Sequence, residues 1–227
     1  MDPRDWKDLA ANPDAFGQKE KELWLKVEPI LNDLLNDLKA NGKIETVFVR
    51  KDMQNLQVVV ENHQKCVKNY NLLIEVGKNN QRSASFVQAI KPFGFDDYSS
   101  AQLLIQTGIL LAVVTTELFR ILLLFHSKGL NPAASLEGMF RQLEGKHCAP
   151  RAAKKLRPYL DLEFRNALAH GLFGTRNKRI ILYKNAKFDL LDSMDLARFM
   201  IRCKDLSVVT QCLIGAIIER KKTGFFS

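Results

Sequence analysis

Three polar side chains lie close together in the segment EFRNALAHGLF, residues 163–173. Arg165 offers a guanidinium, Asn166 an amide and His170 an imidazole, and a segment that only filled an apolar core would need none of them. A guanidinium binds phosphate through paired N–H groups, and an imidazole exchanges a proton near neutral pH. The trio could therefore bind a phosphate group and move protons at the oxygens bonded to it.

The same residues also admit a purely structural role. The segment predicts a short helix that ends at Gly171, which suits a left-handed stop. A His before such a Gly often caps the last carbonyls of the helix, and Arg165 could pair with Asp161 one turn earlier. Asn166 and His170 lie one turn apart on the same helix face, so the amide can support the imidazole in either role.

Positive charge is concentrated around this segment. The chain of 227 residues carries a net charge of +9, and residues 141–187 hold 12 Lys and Arg against 3 Asp and Glu. The basic residues that flank the trio are Lys146, Arg151, Lys154, Lys155 and Arg157 before it, and Arg176, Lys178 and Arg179 after it. Cations so placed predict contacts with the phosphates of a nucleic acid, and a solvated basic face is the alternative.

An apolar run over residues 101–127 has the length of a membrane span. Glu117 and Arg120 fall inside it, however, and a charged residue at the centre of a bilayer costs about 3 kcal/mol. Its polar residues share one face at helical spacing, which predicts a central helix, buried on most sides, with one polar stripe. Glu117 would then either pair with Arg120 or support a polar pocket that holds Arg165 or His170.

The pattern Arg165-Asn166-x-x-x-His170 resembles the R-(x4–6)-H signature of the HEPN superfamily (higher eukaryotes and prokaryotes nucleotide-binding domain). The polar residue after the Arg and the Ala-His-Gly ending agree with it, as do the apolar helix before the motif and the helix after it. In this sequence the resemblance covers residues 96–222.

The resemblance implies a metal-independent ribonuclease in which two copies of the chain bring their motifs together in one cleft. His170 would act as general acid or base on an RNA 2′-hydroxyl or leaving oxygen, and Arg165 would stabilise charge on the phosphate. Asn166 would orient the His or contact phosphate. The implied partners are RNA, a second copy of the chain and possible proteins such as an antitoxin, in toxin-antitoxin, defence or RNA-processing biology.

The surrounding sequence predicts an all-α bundle with a small β-hairpin after the motif helix. We divide it into a helical extension or accessory subdomain, residues 1–95, and a HEPN-like bundle, residues 96–227, which can form one compact unit. Residues 18–40 predict a helix interrupted at Pro29, and residues 44–61 fit either strands or a helix, of which we favour the helix. Residues 179–191 predict the hairpin, and a final helix in two pieces follows Ser193.

Composition bounds the remaining possibilities. The acidic start MDPRDWKDLA shows neither a secretory signal nor a transit peptide, which predicts a cytoplasmic location. The chain has four cysteines, whose irregular spacing predicts free thiols: Cys66, Cys148, Cys203 and Cys212. His63 with Cys66 and His147 with Cys148 do not complete a metal ligand set, so we expect no metal and no cofactor.

Three hypotheses follow from the sequence. The first is a HEPN ribonuclease that cleaves single-stranded RNA at Arg165, Asn166 and His170, with Glu117 as possible support. The second is a HEPN-like helical dimer, of antitoxin or adaptor type, that binds RNA or a protein without cleaving. The third, which the charges at Glu117 and Arg120 disfavour, is a membrane-associated protein that uses residues 103–125.

Overall fold

The computed structural model describes residues 17–45, 54, 57, 58, 60–65, 67, 97–145, 148–177 and 179–226. The predictions made for residues 1–16, for a boundary at residue 96 and for Cys66, Lys146, His147 and Lys178 lie outside the described residues. Within the stretch 44–61, the residues described from 54 onward are helical, as favoured, whereas Ile44 forms an isolated antiparallel bridge with Ser127.

The described part of the chain is mainly helical, with one small antiparallel sheet, as predicted. Its elements are α1 (Gln18–Ala40), α2 (Asp97–His126), α3 (Leu136–Leu143), α4 (Pro150–Leu156), a 3₁₀ turn (Arg157–Leu160), α5 (Leu162–Ala169), β1 (Phe173–Arg176), β2 (Arg179–Tyr183), β3 (Leu190–Met194) and α6 (Leu196–Lys222). The motif segment therefore forms α5 and its C-terminal end.

The two long helices α2 and α6 pack against each other and carry the rest of the fold. They approach closely at Gly108, where a Cβ would lie 2.7 Å from the ring of Phe199. The second halves of both helices join α1, α3 and α4 in one hydrophobic cluster. Their first halves join α5 and the sheet in a second cluster, which includes Phe164 and Leu182. The motif helix thus packs on the central helix pair at the sheet end of the bundle.

Helix α1 packs on α6 and on α4, in the same cluster as the second half of α2. Its apolar face is fully buried from Val27 to Leu38. The expected interruption at Pro29 is wrong, because the helix continues through this residue. Pro29 is exposed, so the carbonyl that it leaves unpaired can bond to water while the buried face holds the helix on both sides.

The sheet has the order β1-β2-β3, with both strand pairs antiparallel. The predicted hairpin is confirmed as β2 and β3, joined by a turn in which the Asn185 side chain accepts a hydrogen bond from the N–H of Lys187 at 2.9 Å and donates one to Asp189 at 2.8 Å. Strand β1 was not predicted, because FGTR is short and lacks a clear alternation. It places the chain that leaves the motif helix directly beside β2.

Two helix bounds differ from the expectations. Helix α2 begins at Asp97, four residues before the apolar run over residues 101–127 that predicts it. Helix α6 is continuous rather than in two pieces, and its N-cap is Asp195, whose side chain accepts a hydrogen bond from the N–H of Arg198 at 2.8 Å. Ser193 instead lies in β3, where its hydroxyl accepts a hydrogen bond from Arg179.

Candidate functional site

The motif helix α5 ends where the sequence predicts, with His170 at its C-cap and Gly171 at φ +67°. The N–H of Leu172 donates to the carbonyl of Ala167 at 2.8 Å, and that of Gly171 to Leu168 at 3.2 Å. This pair of backbone hydrogen bonds is a Schellman motif, which satisfies the end of the helix without a side chain. The imidazole of His170 is therefore not needed as a cap.

His170 is exposed, and its ring makes no hydrogen bond to the part of the chain that the structure describes. Its backbone N–H donates to the carbonyl of Asn166 at 3.0 Å, which places the two residues on the same side of the last helical turn. An exposed imidazole held on a well-packed helix end can exchange protons with a bound molecule.

The Arg165 side chain points toward α2 and is only 13% exposed. Its Nε donates to the hydroxyl of Thr116 at 3.2 Å, and its Nη1 donates to the amide oxygen of Asn166 at 3.2 Å. Thr116 in turn donates to the carbonyl of Ala112 at 2.8 Å. Burial lowers the pKa of Arg165, while the carboxylate of Glu117 opposes that shift. The Arg thereby fixes the orientation of the Asn166 amide.

Glu117 serves both roles that the sequence left open. It pairs with Arg120 one turn along α2, where Nε of the Arg donates to both carboxylate oxygens at 3.0 Å. It also lies 3.9 Å from Nη2 of Arg165. Arg120 is anchored from the other side, since its Nη1 donates to the carbonyls of Pro132 and Ala134. One carboxylate in the polar stripe of α2 thus faces two guanidinium groups.

The alternative pairing of Arg165 with Asp161, which a purely structural role allowed, is not found. Asp161 has φ +43° and receives two hydrogen bonds from Arg202, at 2.8 and 2.6 Å. Arg202 also donates to Asp192 of β3 at 2.7 Å and lies 4.2 Å above the ring of Phe164. Arg202 therefore ties the start of the motif helix to the sheet, a role that the sequence analysis missed.

A cleft of about 310 Å³ opens beside the motif helix. One helix face contributes Glu163, Asn166, Ala167 and His170, and the following chain and sheet contribute Leu172, Tyr183, Lys184 and Leu191. Of these residues, Asn166 and His170 were predicted from the sequence as site residues, whereas Glu163, Tyr183 and Lys184 were not. Glu163 could have been predicted, because it lies three residues before Asn166 and therefore on the same helix face.

The predicted nucleic-acid-binding residues fall into two groups, and none of those described lines this cleft. Arg157 forms ion pairs with Glu137 and Glu144, and its hydrogen bond to Glu144 raises the pKa of the Arg. Arg179 donates to Ser193. The second group is exposed and forms no side-chain hydrogen bond or ion pair with described residues; it comprises Arg151, Lys154, Lys155 and Arg176.

The described residues also bear on metal binding and on the cysteines. Within the described ranges, no three His, Cys, Asp or Glu side chains are grouped so as to hold a metal ion. Cys148, Cys203 and Cys212 are buried free thiols.

The segment Leu104–His126 of α2 is long and apolar enough to cross a membrane, with a mean hydropathy of 2.1, and half of its most apolar window is buried inside the protein.

No protein-family model, curated protein or solved structure matches this chain. The resemblance to the HEPN superfamily stays a prediction carried by Arg165, Asn166 and His170.

Proposed function

We propose that the protein is a metal-independent endoribonuclease of HEPN type that cleaves single-stranded RNA at the cleft beside α5. The observation that carries this proposal is the exposed imidazole of His170, one turn from Asn166 and free of any capping duty. A His with only a structural role would be engaged by the helix end, and here the backbone satisfies that end.

The reaction would be an internal transfer at phosphorus. The 2′-oxygen of a ribose forms a bond to the adjacent phosphorus, and the bond from phosphorus to the 5′-oxygen of the next nucleotide breaks. The 2′-hydroxyl loses one proton and the leaving 5′-oxygen gains one, which gives a 2′,3′-cyclic phosphate and a 5′-hydroxyl. His170 carries out one of these transfers, as a positioned imidazole does in general acid–base catalysis.

Arg165 would stabilise the charge that develops on the phosphate, and it holds Asn166 beside the substrate. Arg165 uses two N–H groups on Thr116 and Asn166, and a guanidinium has five, so it keeps donors for an anion. The amide oxygen of Asn166 accepts a hydrogen bond from Arg165, so its NH₂ group is the part that can donate to a substrate. Both residues are thus donors held in place before the substrate arrives.

Two copies of the chain would complete the site. Each motif offers one imidazole, whereas the reaction moves two protons at two different oxygens. A two-fold dimer that brings both α5 ends together supplies a second His170, with one acting as base and the other as acid. The exposed cations Lys154 and Lys155 would hold more distant phosphates of the RNA.

A second function has a specific observation in its favour. Arg165 is mostly buried and engaged on α2, and it does not line the cleft. A motif whose Arg only orients Asn166 would serve an RNA-binding or adaptor dimer that does not cleave. The two functions differ in whether His170 changes turnover or only binding.

The test is cleavage of labelled single-stranded RNA in the presence of EDTA by wild type, His170→Ala and Gln106→Ala. Gln106 is exposed on α2, and its truncation controls for the loss of a surface polar group. We expect His170→Ala to lower cleavage by about 10²- to 10⁴-fold, with RNA binding and thermal unfolding unchanged. Equal cleavage by wild type and His170→Ala, or a requirement for an added divalent ion, would refute the ribonuclease and leave the binding function.

A further inference from the structure

The cleft beside the motif helix has the size and lining of a site for one small polar molecule. Its volume of about 310 Å³ is at the small end of the range for ligand pockets. Its lining combines the acidic Glu163, the basic Lys184 and the aromatic Tyr183 with apolar Leu172 and Leu191. A site that bound only a phosphate chain would need neither the aromatic ring nor the carboxylate.

The helix face in the cleft presents a defined order of hydrogen-bonding groups. The amide oxygen of Asn166 is taken by Arg165, so its NH₂ group is the part available to a ligand, as a donor. Glu163, three residues earlier on the same face, is exposed and makes no side-chain hydrogen bond or ion pair with described residues. Its carboxylate is an acceptor only. The face thus offers one donor next to a pair of acceptors.

Among the four RNA bases, guanine alone has the complementary order. Its Watson–Crick edge carries the O6 acceptor followed by two adjacent donors, N1–H and N2–H. Cytosine would place two acceptors, N3 and O2, toward the carboxylate, and adenine has no second donor beside N6. Uracil has a single donor, N3–H, between two carbonyl oxygens. Bases of single-stranded RNA are read on these edges because they are not paired.

The sheet supplies an aromatic ring that is held in place. The edge-to-face contact of Tyr183 with Phe188 has a centroid distance of 5.2 Å and an interplanar angle of 84°. On the neighbouring strand, a Cβ at Gly174 would lie 3.9 Å from the Tyr183 ring and hydroxyl, an ordinary contact distance, so the ring lies beside β1. Aromatic rings of this kind stack on bases without regard to their identity, and Lys184 beside it can meet a phosphate.

We propose that this cleft is a guanine-recognising subsite, in which Glu163 and Asn166 read the base, Tyr183 stacks on it and Lys184 contacts its phosphate. The assignment rests on the proposed function, because His170 on the same rim would then act at the phosphate next to a guanosine. Cleavage would accordingly occur beside guanosines in unpaired RNA.

The test is binding of the four nucleoside 3′-monophosphates, measured by calorimetric titration on the full chain. The proteins are wild type, Glu163→Gln, Tyr183→Leu and the control Glu219→Gln, which changes an exposed Glu that pairs with Lys222. We expect wild type and the control to bind guanosine monophosphate about tenfold or more tightly than the other three. Glu163→Gln should lose this preference, and Tyr183→Leu should weaken all four nucleotides by about tenfold.

The proposal is overturned if wild type binds the four nucleotides equally or binds none, or if Glu163→Gln keeps the preference. Thermal unfolding of each variant shows whether a loss reflects misfolding, and Tyr183→Phe, which keeps the ring, should bind as wild type does. Nucleotide binding requires no cleavage, so the two proposals fail separately. Cleavage without a guanosine preference removes only the subsite, and a guanosine preference without cleavage removes only the ribonuclease.

Discussion

Replacing Arg202 by Met should destabilise the fold by about 3 kcal/mol. Arg202 donates three hydrogen bonds to carboxylates, two to Asp161 and one to Asp192. Buried hydrogen bonds of this charged kind contribute about 2 kcal/mol each. Asp161 and Asp192 are 31% and 28% exposed, so water recovers about half of that loss when the guanidinium is removed. The guanidinium over the Phe164 ring adds less than about 1 kcal/mol.

Met keeps the apolar stem of the side chain, so the change removes the charged head and little packing. At about 2–4 °C per kcal/mol for a chain of this size, we expect the midpoint of thermal unfolding to fall by about 9 °C. Urea unfolding followed by circular dichroism gives the free energy directly. Arg198→Met is the matched control, because Arg198 is 61% exposed and its contact with Asp192 is long, at 3.7 Å. Its loss should change the free energy of unfolding by less than about 0.5 kcal/mol. A loss for Arg202→Met as small as that of the control would refute the reasoning.

Two further predictions concern charge. The double variant Lys154→Ala/Lys155→Ala should weaken RNA binding and reduce the slope of log affinity against log salt by about 1.4, measured by filter binding across a salt series. Its cleavage rate at saturating RNA should stay unchanged. Burial lowers the pKa of His126 to about 4, so the unfolded state binds a proton that the folded state rejects. His126 should therefore contribute a fall in stability of up to about 3 kcal/mol as pH falls from about 6.5 to 4, and His126→Phe should remove that contribution in urea unfolding at several pH values. Burial also lowers the pKa of His63 to about 4, so part of the fall should remain in this variant.

The features that local sequence determines were predictable. Gly171 ends α5 because a left-handed residue is needed there, and Gly supplies it without a Cβ penalty. The pairing of Glu117 with Arg120 follows from their spacing on one helix face. The β2–β3 hairpin follows from an apolar strand that ends at a turn containing Asn185. In each case the partners lie within one element or across one turn, so the chain order itself brings them together.

The features that were missed depend on residues far apart in the chain. Arg202 reaches Asp161 across 41 positions, and Arg165 reaches Thr116 across 49. No periodicity in either segment indicates that these particular side chains meet, because the packing of α2 and α6 decides it. The same holds for Tyr183 and Lys184, which enter the cleft because β1 folds the chain back beside α5. A local pairing with Asp161 was the structural alternative for Arg165, and the tertiary partners displaced it.

The charge balance inside the bundle gives a physical reason for an anionic ligand at the motif. Glu117 is one carboxylate shared by Arg120 and Arg165, so this part of the polar stripe carries one positive charge in excess. Burial lowers the pKa of Arg165, Glu117 partly offsets that shift, and repulsion by Arg120 lowers the pKa further, which means that the folded protein holds this cation at a cost. An anion bound beside Asn166 would supply the missing negative charge where water is already partly excluded, and the attraction there is stronger than at an open surface. A second carboxylate beside Arg165 would neutralise this excess charge within the protein. Asp161, the acidic residue one turn before it, forms its ion pair with Arg202 instead. The surplus positive charge at Arg165 therefore supports the proposed phosphate-binding role of the motif, with the anion bound at the cleft beside Asn166 rather than against the guanidinium itself, which does not line the cleft.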